Sequence, residues 1–438
     1  TLFPLDNWQT PAVSPLTLML RHELHHASRS DILTNILVYR PFGVLLVRAL
    51  PRRYCTVCKL LLAALASALL SFTLEYTQAH LPGRVPSVSD LVLNTLGGFT
   101  GAGLTLLLWQ DTYIGERVKH LRNKHVISGP LANLGLFVLG LWVLSQISPL
   151  VPSLDMGTLR HGLKPLYHAL QTPIDLEWLG VAEYAMAIAA LGVLSGTLQR
   201  IQNNAAWRFA IFTIVILLLK VPVVSRQLSL EAVLGLVIGI AGYLLIASRS
   251  QRVQVRLATV LLLGAVVSAA LYVPDISKVS SLALSQSINW VPFKSHLSND
   301  LIGIVDILGG SWPFLALGYL ALFTNIKRSY TFTVSGAVLI FILMLALEWH
   351  QQSIPGRSAD ITDALLAVIA WLVPWFIPSI RHTAETSSDQ THRELKPRHS
   401  NRRGWVTYGI AGIALVIAAA TFWQLTGSKQ PQWVDDRN

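Results

Sequence analysis

Charge is scarce in this chain. Asp, Glu, Lys and Arg make up 13% of its 438 residues, where a soluble domain carries roughly 25%. Hydrophobic residues make up 52%, more than a soluble core of this size needs. The pairing excludes an ordinary water-soluble globular protein. Cysteine is nearly absent, with only Cys55 and Cys58. Two thiols supply half the ligands of a tetrahedral structural zinc site. A redox Cys-x-x-Cys ordinarily opens a helix beside a soluble strand. This pair, set in a short basic loop, therefore reads as plain reduced thiols. No basic start followed by a small-residue cleavage site marks a signal peptide. No basic-aromatic module accompanies the net charge of +11, so no nucleic-acid partner is expected. No metal or cofactor is expected either.

Long apolar runs are what the chain has instead. They recur at about 20 residues, the length that spans a bilayer. Twelve spans are read, at 31–50, 56–76, 89–110, 127–147, 178–198, 205–224, 229–248, 254–273, 301–324, 330–348, 361–380 and 405–424. Unpaired backbone is too costly in lipid for open strands or loops, so all are expected to be helices. The loops alternate in charge: 21 of the 34 Lys and Arg residues fall in one alternate set and 11 in the other. By the positive-inside rule the richer set, which includes Arg48, Arg117 and Lys327, faces the cytoplasm. Both ends of the chain then face outward, into the periplasm if the membrane is a bacterial inner membrane. The outward loop at 149–177 is expected to form a helix lying on the surface.

One motif is written twice. Residues 74–90 read LEYTQAHLPGRVPSVSD and residues 347–363 read LEWHQQSIPGRSADITD, with seven of 17 positions identical and no gap. Most of the identities are polar or turn residues, which apolar helices do not share by chance. Each copy ends a helix, turns through Pro-Gly and opens a returning helix in the same orientation, so the repeats are parallel. The likeness extends upstream, from Pro41-Phe42-Gly43 to Pro313-Phe314. The expected fold is thus an all-α polytopic membrane bundle of about 12 helices with two parallel internal repeats. Its parts are a first repeat at 1–112, a four-helix insertion at 113–253, a second, degenerate repeat at 254–380, a cytoplasmic linker at 381–404, and a last helix and outward tail at 405–438. The span 254–273 has no partner in the first copy, so one further span is expected upstream of Thr1.

The polar residues Asp31, Asn35, Glu75, Gln78, Arg84, Asp90 and Asn94, with Pro41-Phe42-Gly43 and Gly97, resemble the VanZ-like family of bacterial membrane proteins. The resemblance covers about residues 1–110 and more weakly 255–375. It implies a multi-pass protein of the bacterial cell envelope. The family's founding member is linked to teicoplanin resistance, and the resemblance carries no established reaction. The second copy keeps Glu348, Gln351, Arg357 and Asp363, but Ala367 stands where Asn94 does and no Asn matches Asn35.

Glu75 and Gln78 share a helix face, three residues apart. The Pro-Gly turn can fold Arg84 back toward them, and Asp90 is placed to cap the next helix, with Asn94 one turn deeper. Such a cluster suits a phosphate or sugar headgroup: Arg binds phosphate bidentately, amides bind hydroxyls, and Glu75 or Asp90 is the candidate general base. Against this stands the plainer reading, in which Glu75 pairs with Arg84, Asp90 and Asp363 only cap helices, and Pro-Gly is only a turn. The expected role is binding or handling a lipid-linked or glycan headgroup at the outer leaflet. The alternatives are a non-catalytic subunit of a membrane complex and an enzyme modifying an envelope lipid or glycan. Expected partners are membrane lipids, with a lipid-linked glycan or a membrane-protein subunit as further candidates. The first copy, with both asparagines, is the favoured site. His22, Glu23, His25 and His26 form a patch with no recognised metal spacing. Arg40, Asp306 and Lys220 are charges inside or near spans with no partner legible in sequence. Gly97 and Gly101 form a GxxxG, read as close helix packing.

Overall fold

A computed structural model describes residues 8–377, apart from 12, 22–28, 52, 82–85, 109–111, 149, 151, 154, 172–175, 201–203, 273–287, 294–299, 325–329, 355–356 and 358. The regular structure of the described residues is helical. In chain order the helices are α1 (Pro15–Arg21), α2 (Arg29–Ala49), α3 (Thr56–Gln78), α4 (Val88–Leu107), α5 (Tyr113–His125), α6 (Pro130–Ile147) and α7 (Met156–Gln171). There follow α8 (Trp178–Leu198), α9 (Ala205–Leu218), α10 (Leu230–Ala247), α11 (Gln251–Leu271), α12 (Asp300–Ala321), α13 (Tyr330–Gln351) and α14 (Ile361–Phe376). Eleven of the twelve expected spans coincide with one of these helices; the span at 405–424 lies outside the described residues, as does the linker before it.

Among the described residues six helices, α3, α6, α8, α10, α11 and α13, are long and apolar enough to cross a membrane. Three more, α9, α14 and the stretch of α12 from Val305, are apolar but shorter. Two of the short ones end where proline forbids continuation. Pro222 follows α9 through a series of tight turns, and Pro378 follows α14 directly beyond Ile377. The chain is an all-α, multi-pass membrane protein.

Two helices appear besides the four spans expected between 113 and 253. The α5 sequence is charged throughout. Thr112 caps it by accepting from Gly115 N, and Arg122, Lys124 and His125 fill its last turn, where cations offset the helix dipole. The second, α7, occupies the outward loop where a helix was expected.

Packing divides the described chain into two cores. In the N-terminal unit α4 packs heavily against both α2 and α3. Its small core centres on Val47, Ala63 and Ala102. The approach of α2 to α4 is very close: a Cβ added at Gly97 or Gly101 would collide with the backbone carbonyls of Ile36 and Arg40. Only glycine permits that contact. The second core is larger and continuous. It joins α6 and α8–α10 of the stretch at 113–253 to α11–α14, through buried residues such as Trp142, Ile188, Tyr243, Phe314 and Tyr319. The expected insertion therefore shares its core with the C-terminal helices. In both units the helix carrying Pro-Phe (Pro41 in α2, Pro313 in α12) packs against the helix that follows the motif, α4 or α14.

Candidate functional site

Each motif begins as the last turn of a long helix, α3 or α13, and ends as the first turn of the next. The first link between the two is a glutamate. Glu75 Oε2 accepts a hydrogen bond from Ser87 N at 2.9 Å, and Glu348 Oε2 accepts one from Asp360 N at 2.8 Å. Ser87 and Asp360 occupy the same aligned position, and each is the N-cap of its helix. Ser87 Oγ accepts from Ser89 N, and Asp360 Oδ1 accepts from Thr362 N. This corrects the expected caps. Asp90 and Asp363 lie in the first turn, because the helices begin three residues earlier than their positions suggest. There a carboxylate still favours the positive end of the helix dipole.

The first copy gathers several of its expected residues. Asn35 Nδ2 donates to Asp90 Oδ1 at 2.6 Å, tying α2 to α4. Asn94 Nδ2 donates to Ser71 Oγ at 3.0 Å, tying α4 to α3. Tyr39 is buried beside Ser71, Glu75 and Asp90. Gln78 ends α3, half-buried. Asp31 lies in the first turn of α2, but its side chain lies outside the described residues, and Arg84 lies outside them altogether. Arg40 is exposed on α2 and donates to Thr100 Oγ1 at 3.4 Å, at the long limit of such a bond. Asn35 and Asn94 thus tie the three helices together through Asp90 and Ser71.

The second copy stands in different surroundings. Glu348, Gln351, Arg357, Asp360 and Asp363 line a cavity of about 770 Å³. Its other walls come from α6, α8, α11, α12 and the turns after α9, and they bring Gln146, Glu183, Tyr184, Lys220, Arg226 and Asp306 to the same space. Glu348 is 1% exposed and Lys220 5%. Lys220 Nζ donates to Gln146 Oε1 at 3.1 Å and to Tyr184 OH at 2.9 Å. Arg226 donates to the backbone carbonyls of Ser145 and Ser148. Burial pulls its guanidinium below the ordinary pKa, with Tyr184 and Asp306 acting in the opposite direction. Arg357 donates to Ala269 O at 2.9 Å and Tyr272 O at 3.2 Å, at the end of α11. Asn289 Nδ2 holds the far side of the Asp360 carboxylate at 2.9 Å. Lys220 and Asp306, unconnected in sequence, thus share one cavity.

The expected Glu–Arg pairing takes another form here: Arg357 Nη2 donates to the carbonyls of Ala269 in α11 and of Tyr272, its C-cap, while Glu348 stays within electrostatic reach of the guanidinium. Sequence reading missed Glu183, Tyr184, Gln146 and Arg226. A signal existed for Glu183, a carboxylate within the apolar run of α8, since ionisable residues inside spans tend to be functional. The patch at His22, Glu23, His25 and His26 lies outside the described residues. Among the described residues no group of three or more His, Cys, Asp or Glu side chains is arranged to hold a metal. Cys55 and Cys58 are exposed and do open a helix. Cys55 is the N-cap of α3, and its Sγ accepts from Cys58 N at 3.1 Å. Hydrogen bonding from Cys58 draws the Cys55 thiol below its ordinary pKa.

Residues 2–109 match the VanZ/LLP1 family. The match covers the first motif and the α2–α4 unit, about a quarter of the chain. No curated protein and no solved structure matches the chain.

Proposed function

We propose that this VanZ-like, multi-pass membrane protein of the bacterial cell envelope binds the headgroup of a lipid-linked or glycan molecule, and that it does so in the cavity beside the second motif. One observation carries the reading: the cavity joins five residues of the second motif to charged and amide side chains from helices far apart in sequence. Burying Lys220, Glu348 and Asp360 in an apolar bundle is costly, and such groups persist in membranes chiefly where they serve a pathway or a ligand. Ligand pockets commonly occupy roughly 300–1,000 Å³, a range that includes this one. The weighting expected from sequence is thereby reversed. The first copy has both asparagines, but their Nδ2 groups donate across helices, to Asp90 and Ser71.

The charge alternation of the loops supports an inner-membrane protein with both motifs at the outer face, the side where envelope headgroups are exposed. The test is native mass spectrometry of the protein purified from its own membranes. A lipid-linked or sugar-bearing molecule should accompany the wild type and be lost from Gly310→Trp, which sets a bulky side chain on the cavity wall. Absence of any such molecule, or its retention in the variant, would refute the reading and favour a non-catalytic subunit.

A further inference from the structure

The balance of donors and acceptors in the cavity is more informative than its size. Among the described residues, five carboxylates (Glu183, Asp306, Glu348, Asp360 and Asp363) line it against three cations (Lys220, Arg226 and Arg357). Much of this charge is matched within the protein. Glu348 and Asp360 accept from backbone N–H groups, and Arg226 and Arg357 donate to backbone carbonyls. Lys220 spends two of its three donors on Gln146 and Tyr184 and keeps one. Glu183 differs: its interactions are electrostatic, with Lys220 and Arg357, and its carboxylate accepts no hydrogen bond from any described residue.

An anionic ligand would face a wall with more carboxylates than cations. A cationic ligand at Glu183 would meet the like charges of Lys220 and Arg357, which already act on that carboxylate. A hydroxyl both donates and accepts, so it serves an open carboxylate and a spare ammonium proton together. Trp142 and Trp312 add apolar faces to the same wall. At Gly309 and Gly310 nothing lies within 4 Å of an added Cβ, so α12 there faces open space where a ligand can reach the backbone.

We infer that the cavity takes an uncharged, hydroxyl-rich headgroup, that is, a sugar, with Glu183 accepting from its hydroxyls and Lys220 donating to them. The assignment deepens the headgroup reading and rests on it. The test uses the full chain in an amine-oxide detergent, free of sugar and phosphate, titrated calorimetrically with maltose, inorganic phosphate and choline. Maltose is expected to bind the wild type saturably. Glu183→Gln should weaken that binding by roughly tenfold or more, the loss of one charged hydrogen bond. Gly310→Leu should abolish it. Both variants should unfold thermally as the wild type does, because one keeps its shape and the other grows into open space. Binding of phosphate or choline without maltose would overturn the sugar assignment and leave the headgroup reading standing. Binding of none of the three also overturns it, and the co-purification experiment then decides separately whether the headgroup reading falls with it.

Discussion

In the α2–α4 unit, Glu75 closes its hairpin onto Ser87, and Asn35 and Asn94 stitch the three helices together. In the C-terminal bundle, Glu348 closes the same hairpin onto Asp360, but α11 binds Arg357 and α8 contributes Glu183, and a cavity remains. The difference lies in what surrounds a shared local device. Glycines draw α2 onto α4 until no room is left, while Gly309 and Gly310 of α12 border empty space. A motif of this kind builds a rigid helix–turn–helix frame; whether the frame encloses a site depends on helices supplied from elsewhere.

The largest expected effect tests that contrast directly. Gly101→Leu forces a side chain into the α2 backbone and should destabilise the protein by about 3 kcal/mol or more, at or beyond the upper end for overpacking. At Gly310 an added Cβ has nothing within 4 Å, and Gly310→Leu removes a helix glycine, so it should be neutral or stabilise by up to about 1 kcal/mol. Thermal unfolding in detergent, followed by loss of the monodisperse peak, measures both. Equal losses would end the distinction between a closed and an open unit.

A smaller effect probes the shared device. Glu75→Ala and Glu348→Ala each leave a backbone N–H without its carboxylate, at a cost of roughly 1–3 kcal/mol. The loss at Glu348 should be the greater, since it is 1% exposed against 5% for Glu75. The same unfolding assay ranks them, and no loss in either would show that the bond does not hold the hairpins.

The gentlest test leaves stability untouched. Cys55 and Cys58 are exposed at the start of α3, on the side opposite the motif end of that helix. An impermeant maleimide applied to intact spheroplasts should spare them and modify a cysteine introduced at Ser87. Labelling of Cys55 without labelling at position 87 would invert the membrane orientation and put both motifs in the cytoplasm.

Much was legible from local pattern alone. Apolar runs separated by basic loops located eleven of the helices, because bilayer thickness and backbone hydrogen bonding leave a chain few options. The paired motifs stood out because polar and turn residues recurred at the same spacing, and GxxxG announced a close contact that the structure has at Ile36 and Arg40. Helix starts were less legible. Asp90 looked like a cap, yet Ser87 caps, since both residue types suit the position and only the backbone path chooses between them.

What tertiary structure alone decided is which polar residues meet. Lys220 bonds Gln146 and Tyr184 across 74 and 36 positions, and Arg357 reaches carbonyls 88 and 85 positions away. Sequence marks a buried charge as costly, because desolvation is a property of the residue and its segment. It does not mark the partner, because pairing depends on how helices rotate and approach once packed. The amino-acid order therefore determined the spans, the hairpins and the cost of their charged residues. The packing of α6, α8, α11 and α12 around the second hairpin determined that those charges face one another across a cavity.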